Sequence, residues 1–131
     1  MLKISTVIGA RPQFIKASAL SRQIKLFNEN SSRIKESIIH TGQHFDNKMS
    51  DIFFRELDIP NPKYNLGIGG GTHGENTGRM IESIEKKILK ESPDIAIVFG
   101  DTDSTLAASI ACSKIKIPVA HIEAGLRSNN K

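Results

Sequence analysis

The chain has 131 residues, enough for a single domain that removes roughly two thirds of its extended surface from water. Its composition, 38% hydrophobic and 24% charged, is that of an ordinary soluble globular protein, and no apolar run approaches the roughly 18 residues of a membrane helix. The net charge of +4 suits an anionic small molecule, while an aromatic content of 5% leaves little surface for stacking nucleic-acid bases, so neither nucleic acid nor a membrane is an expected partner.

Residues 3–9 read as a first strand that begins almost at Met1, with no basic, apolar and small-residue leader pattern ahead of it. Cys112 is the sole cysteine, so an internal disulfide is impossible and a reducing, cytoplasmic setting is expected. The turn that follows, "GARPQFIK", has one glycine where a dinucleotide-binding turn would have three. Pro12 suits the first position of a helix over 12–27, whose apolar face is expected to hold Phe14, Ile15, Ala19, Leu20 and Ile24. Arg11, held by Pro12, is placed to offer a planar fork to a phosphate or carboxylate; Lys16 reads equally as a second cation or a solvated helix lysine.

A second strand is expected over 35–41, then the polar cluster "HTGQHFD" and a helix from Asp46 to Leu57. "IPNPKYNLGIGGG" is a connection with room for one short strand at Tyr64–Leu66. Its glycines formally match G-x-G-x-x-G through Gly74, but no convincing strand precedes them, and Glu75 stands where a phosphate-binding loop needs lysine. A long amphipathic helix is expected over Thr72–Lys90, with basic residues at its C-terminal end. "DIAIVFG" (94–100) has the continuous apolar character of a central parallel strand. An Ala-rich helix over Ser104–Lys114 follows, with Cys112 on its apolar side as an inert buried thiol, and "IPVAHIEAG" (117–125) reads as another buried strand with His121 as a core histidine.

This alternation specifies an α/β fold, a doubly wound and mostly parallel sheet with helices on both faces. Such sheets bind ligands beyond the carboxyl ends of their strands where strand order reverses. If the strand at 94–100 lies beside the first strand and 117–123 beyond it, the turns Gly9–Lys16, Gly100–Thr105 and Glu123–Arg127 converge on one crevice.

"FGDTDST" supplies Asp101, Thr102, Asp103 and Ser104 where a helix N-cap needs one residue, with capping the plain role for Asp103. Glu123 leaves a strand whose neighbours are apolar, and an unpaired buried carboxylate costs several kcal/mol. A structural ion pair with Arg127 or Arg11 would explain it, and so would acid–base work: two carboxylates beside cations in one cleft can move protons on a bound anion. His40, His44, His73 and His121 have no metal-site spacing, since Gly42 breaks the helical face that a His pair four apart requires. His40, Thr41, Gln43, His44 and Asp46 gather instead at a strand's carboxyl end, where contact with a ligand is open to them.

In order and spacing, "GARPQFIK", "HTGQHFD", "GIGGGTHGENTGRM", "FGDTDSTLA" and "HIEAGLRS" resemble the N-terminal domain of bacterial non-hydrolysing UDP-N-acetylglucosamine 2-epimerases over essentially the whole chain. The resemblance implies a Rossmann-like half of a two-domain glycosyltransferase-B-type fold, a homodimer at full length, and a reaction that uses no metal and no redox cofactor. It implies removal of the C2 proton with departure of UDP, then return of the proton on the other face and re-addition of UDP. By motif match Asp101 and Glu123 correspond to the acid–base carboxylates. Arg11 and Lys16, with Arg127 beside them, correspond to substrate-binding cations, and Gln43 and His44 to a segment that in some members contacts a second, activating UDP-sugar. Asp46 stands where those members carry a second glutamine, which argues against such activation here. Residues 1–131 are thus expected to be one N-terminal domain, without turnover alone, with the uridine contacts in a C-terminal domain beyond Lys131. Epimerases of a diacetamido-uronic acid UDP-sugar, hydrolysing 2-epimerases, and a non-catalytic anion-binding module remain the alternatives.

Overall fold

The computed structural model describes residues 1–9, 11–31, 33–42 and 61–122, and of residues 11 and 12 the backbone alone. Five strands, β1 (Leu2–Ile8), β2 (Ile34–His40), β3 (Tyr64–Asn65), β4 (Ile95–Phe99) and β5 (Val119–Ile122), alternate with helices α1 (Arg11–Asn28), α2 (His73–Glu91) and α3 (Asp103–Lys114). All described pairs are parallel, in the order β3-β2-β1-β4-β5. The order reverses between β1 and β4, as expected from the sequence. Right-handed crossovers therefore put α1 on one face and α2 and α3 on the other. The helix expected over Asp46–Leu57 lies outside the described residues.

Alternate residues of the central strands feed two cores. Ile4, Ile8, Ile38, Ile97 and Phe99 meet Phe14, Ala17 and Ile24 of α1. Val7, Ile39, Ala96 and Val98 meet Met80, Ile84 and Ile88 of α2 and the alanines of α3 with Cys112. Burial pushes the Cys112 thiol up to about 11, as an inert core cysteine requires. Met80, Ile84 and Ile88 recur every four residues on α2, so one narrow stripe seats its length. The helix starts at a capping box, in which the Thr72 hydroxyl accepts from the Glu75 N–H at 3.2 Å and the Glu75 carboxylate from the Thr72 N–H at 3.3 Å.

Two expectations need correction. On α1 the inward face holds Phe14, Ala17, Ser18, Ser21 and Ile24, while Ile15 is 58% exposed and Ala19 points outward. Apolar character alone picks the wrong neighbours because polar residues help form the buried stripe: Ser21 and Thr6 both donate to the Glu36 carboxylate, at 2.7 and 2.9 Å. Strand β5 is also not a buried strand, for its last two residues, His121 and Ile122, are exposed. It lies at the edge of the described sheet, with β4 on one side only.

His40, at the end of β2, is 1% exposed and stacks on the Phe14 ring with centroids 5.0 Å apart. Burial pulls its imidazole from the ordinary 6.5 down to about 4, against a smaller opposing effect of a backbone hydrogen bond. Between those two values the unfolded chain holds a proton that the folded chain excludes, so stability falls as pH drops through that window. Urea unfolding at pH 7 and pH 5 is expected to show a loss of about 2 kcal/mol from this group. His40→Phe should remove that part of the loss; an unchanged pH dependence would refute the assignment.

Candidate functional site

Strands β1 and β4 are paired from Ile4↔Ile95 to Thr6↔Ile97, yet they run on to Ile8 and Phe99. Beyond the pairing, the two chains lead to helices on opposite faces of the sheet, at the reversal where doubly wound sheets place a ligand crevice. One side chain crosses it. Gln13, in the first turn of α1 and 3% exposed, accepts the Gly9 N–H on Oε1 at 2.6 Å. Its Nε2 donates to the Phe99 carbonyl at 2.7 Å and to Thr102 Oγ1 at 2.8 Å. The Phe99 carbonyl also accepts from Thr105 Oγ1 at 2.7 Å.

The opposite side of Gly9 is closed by a second buried contact. Thr41, just past β2, and Ser104, in the first turn of α3, share a hydroxyl hydrogen bond of 2.9 Å. A Cβ on Gly9 would lie 2.2 Å from Ser104 Oγ and 2.4 Å from Thr41 Oγ1. Only glycine lets β1 end this close to α3, which is a packing requirement and not a phosphate cradle.

Gly100 begins the turn after β4 with φ +68°, a left-handed conformation that glycine adopts without strain. Its N–H donates to the Ile122 carbonyl at 3.0 Å, and its carbonyl accepts from His121 Nε2. His121 is therefore an exposed edge residue tied to this turn, not the expected core histidine. Asp101 follows and is exposed. Thr102 is the N-cap of α3, so Asp103 is released from that role. Asp103 instead receives His73 Nδ1 at 3.1 Å, which joins the starts of α2 and α3. With α1, three helix N-termini face this edge of the sheet, and their partial positive charge favours an anion there.

The structure thus unites the turns after β1, β2 and β4, with Asp101 at the last and Arg11 opening α1. Lys16 lies half-buried on α1. Gln43 and His44, next after Gly42, and Glu123 and Arg127, after the last residue of β5, lie outside the described residues. Among the described residues no group of His, Cys, Asp and Glu side chains could hold a metal ion. Thr41 and Ser104 lie within polar clusters the sequence marks, but their contact with each other is not legible there, and Gln13 carries no sequence signal beyond its place inside "GARPQFIK".

Gly9→Ala is expected to cost about 1–3 kcal/mol through overpacking, read as a lower urea midpoint at unchanged slope. Ser104→Ala in the same chain should return part of it by removing the nearest oxygen; strictly additive losses would count against this contact.

Comparison with known proteins places this geometry. The family described as UDP-N-acetylglucosamine 2-epimerase matches residues 27–131. A Pseudomonas aeruginosa protein named UDP-2,3-diacetamido-2,3-dideoxy-D-glucuronate 2-epimerase is 58% identical over 98% of this chain and 35% of its own length. The crystal structure of Methanocaldococcus jannaschii UDP-GlcNAc 2-epimerase in complex with UDP-GlcNAc and UDP superposes with a TM-score of 0.87 at 51% identity, over 98% of this chain and 34% of that one. The Neisseria meningitidis enzyme bound to UDP-GlcNAc gives 0.84 at 34% identity, over 98% of this chain and 33% of that one. The chain spans about a third of the length of these relatives. A Rossmann-like sheet with its crevice at the β1–β4 reversal, together with these matches, shows that the chain belongs to the UDP-N-acetylglucosamine 2-epimerase family.

Proposed function

We propose that residues 1–131 form the N-terminal domain of a UDP-sugar 2-epimerase that interconverts UDP-N-acetylglucosamine and UDP-N-acetylmannosamine. The observation that carries this reading is Asp101, exposed on a turn locked against the turn that opens with Arg11, at an edge where three helices begin. That edge attracts a diphosphate and supplies a carboxylate beside it.

In the proposed reaction one carboxylate takes the C2 proton, the C1–O bond breaks, a C1=C2 double bond forms and UDP departs. The proton then returns to the opposite face of C2 and UDP re-adds at C1. Asp101 and Glu123 share the proton transfers, and Arg11, Lys16 and Arg127 offset the diphosphate charge. Gln43 and His44 belong to the substrate-binding side of the cleft. The family length beyond this chain holds the uridine, and the complete protein acts as a homodimer in the cytoplasm. Among the described residues no helix is long and apolar enough to cross a membrane.

The 58% identity to a protein named for the diacetamido-glucuronate sugar favours a second substrate reading. Offering both UDP-sugars to a protein of full family length that carries this chain decides between them by kcat/KM.

In that protein Asp101→Asn and Glu123→Gln should each slow exchange of the C2 proton in deuterated water by about a hundredfold or more. Exchange at the unmodified rate would leave the carboxylates structural and return the chain to the anion-binding alternative. The 131-residue chain alone should bind UDP weakly by calorimetry, and sub-micromolar affinity would contradict a nucleotide site elsewhere.

A further inference from the structure

We infer that Gln13 is a positioning residue, and that its side-chain amide stands in for a peptide group where the β1–β4 ladder has parted. A peptide in a parallel ladder accepts on one side and donates on the other. Gln13 does the same: it accepts from Gly9 N–H at 2.6 Å, the residue after β1, and donates to Phe99 C=O at 2.7 Å, the last residue of β4. Paired register ends at Thr6↔Ile97, so this side chain continues the cross-connection after the backbones have separated. Its second donor contact, to Thr102 Oγ1 at 2.8 Å, fixes the N-cap of α3. Asp101 lies between the two anchored residues, Phe99 and Thr102. Its turn is therefore set against the start of α1 by one buried amide.

The fork needs one acceptor and two donor contacts, a set that an amide supplies at any pH. Phe99 C=O can only accept, so the atom facing it must donate. Glutamate has the same shape but presents an acceptor there unless it is protonated, and burial favours its protonated form. Methionine keeps the length and loses every hydrogen bond. The role of the turn in catalysis rests on the reading of Asp101 given above, but the coupling of the two turns does not.

Gln13→Glu and Gln13→Met separate the two. In the 131-residue chain near neutral pH, both variants should shift the backbone amide resonances of Gly9 and of residues 100–105. The contact of Lys63, just before β3, with Glu91 at the end of α2 is a control that should stay in place. Acidification should return the Gln13→Glu resonances toward the unmodified positions, as the carboxylic acid regains a donor, and should leave Gln13→Met displaced. Unmoved resonances at 100–105, or the same pH response in both variants, overturn the coupling. If Gln13→Glu fails to fold at neutral pH, Gln13→Met and the acid-form spectrum still decide it.

In a protein of full family length, the rate of C2 proton exchange in Gln13→Glu, relative to the unmodified protein at the same pH, should be at least tenfold lower at neutral pH. That ratio should rise on acidification, with KM within threefold. A displaced turn with an undiminished, pH-independent ratio overturns the positioning role. Should Asp101→Asn also exchange normally, the acid–base reading fails instead, and the resonances alone still judge the coupling.

Discussion

A doubly wound sheet must part somewhere, and where it parts the backbone groups at the ends of two adjacent strands lose their natural partners. Leaving a buried donor or acceptor unpaired costs about 1–3 kcal/mol, so the parting must be repaired. In this chain Gln13 joins the two ends: its amide accepts from Gly9 N–H and, together with the Thr105 hydroxyl, donates to Phe99 C=O. Because the same group reaches the cap of α3, one buried side chain fixes both lips of the crevice.

The same edge collects positive potential without many positive side chains. Parallel strands force α1, α2 and α3 to begin at one end of the sheet, so their dipoles add. Two of these starts are capped by threonines, Thr72 and Thr102, which are neutral and leave that potential in place. Glu75 does bring a carboxylate into the first turn of α2, where Thr72 hydrogen bonds hold its pKa below the usual carboxylate range. The His73–Asp103 contact then ties the two helix starts side by side. Asp103 in the first turn of α3 and Glu75 in that of α2 offset part of this field, so the helix starts and their carboxylates balance each other around the Asp101 turn.

How much of this was legible in the sequence follows from what the sequence encodes by pattern. The continuous apolar run at 95–99 and the four-residue spacing of Met80, Ile84 and Ile88 are pattern signals that give the alternation of strands and helices, and the strand order matches the usual order of such sheets, which the pattern itself does not encode. The inward face of α1 differs from the apolar pattern because two serines are buried on it: Ser18 donates to the Ile15 carbonyl within the helix, and Ser21 to Glu36 on β2, a partner whose distance in sequence leaves no periodicity. His121 differs for the opposite reason: its apolar neighbours suggest burial, while only topology shows that β5 has one partner strand among the described residues. At the site the charged residues stood out and the neutral ones did not. Gln13, Thr41 and Ser104 hold the turns together from positions 13, 41 and 104, a relation visible only once the fold has brought them into contact.

Gly100 completes the argument about Asp101. Gln13 holds this turn from the β1 side, through Phe99 and Thr102, but a turn held from one side can still rotate about that anchor. Gly100 supplies the other side, with its N–H bonded to Ile122 and its carbonyl accepting from His121, both residues of β5. A carbonyl can only accept, so His121 carries its hydrogen on Nε2 in this contact. The left-handed φ of Gly100 aims both of its polar groups at β5 while the chain continues into α3. A Cβ at this position would favour a different backbone and release β5 from the turn. Asp101 therefore has its place set by β1 through an amide and by β5 through a glycine.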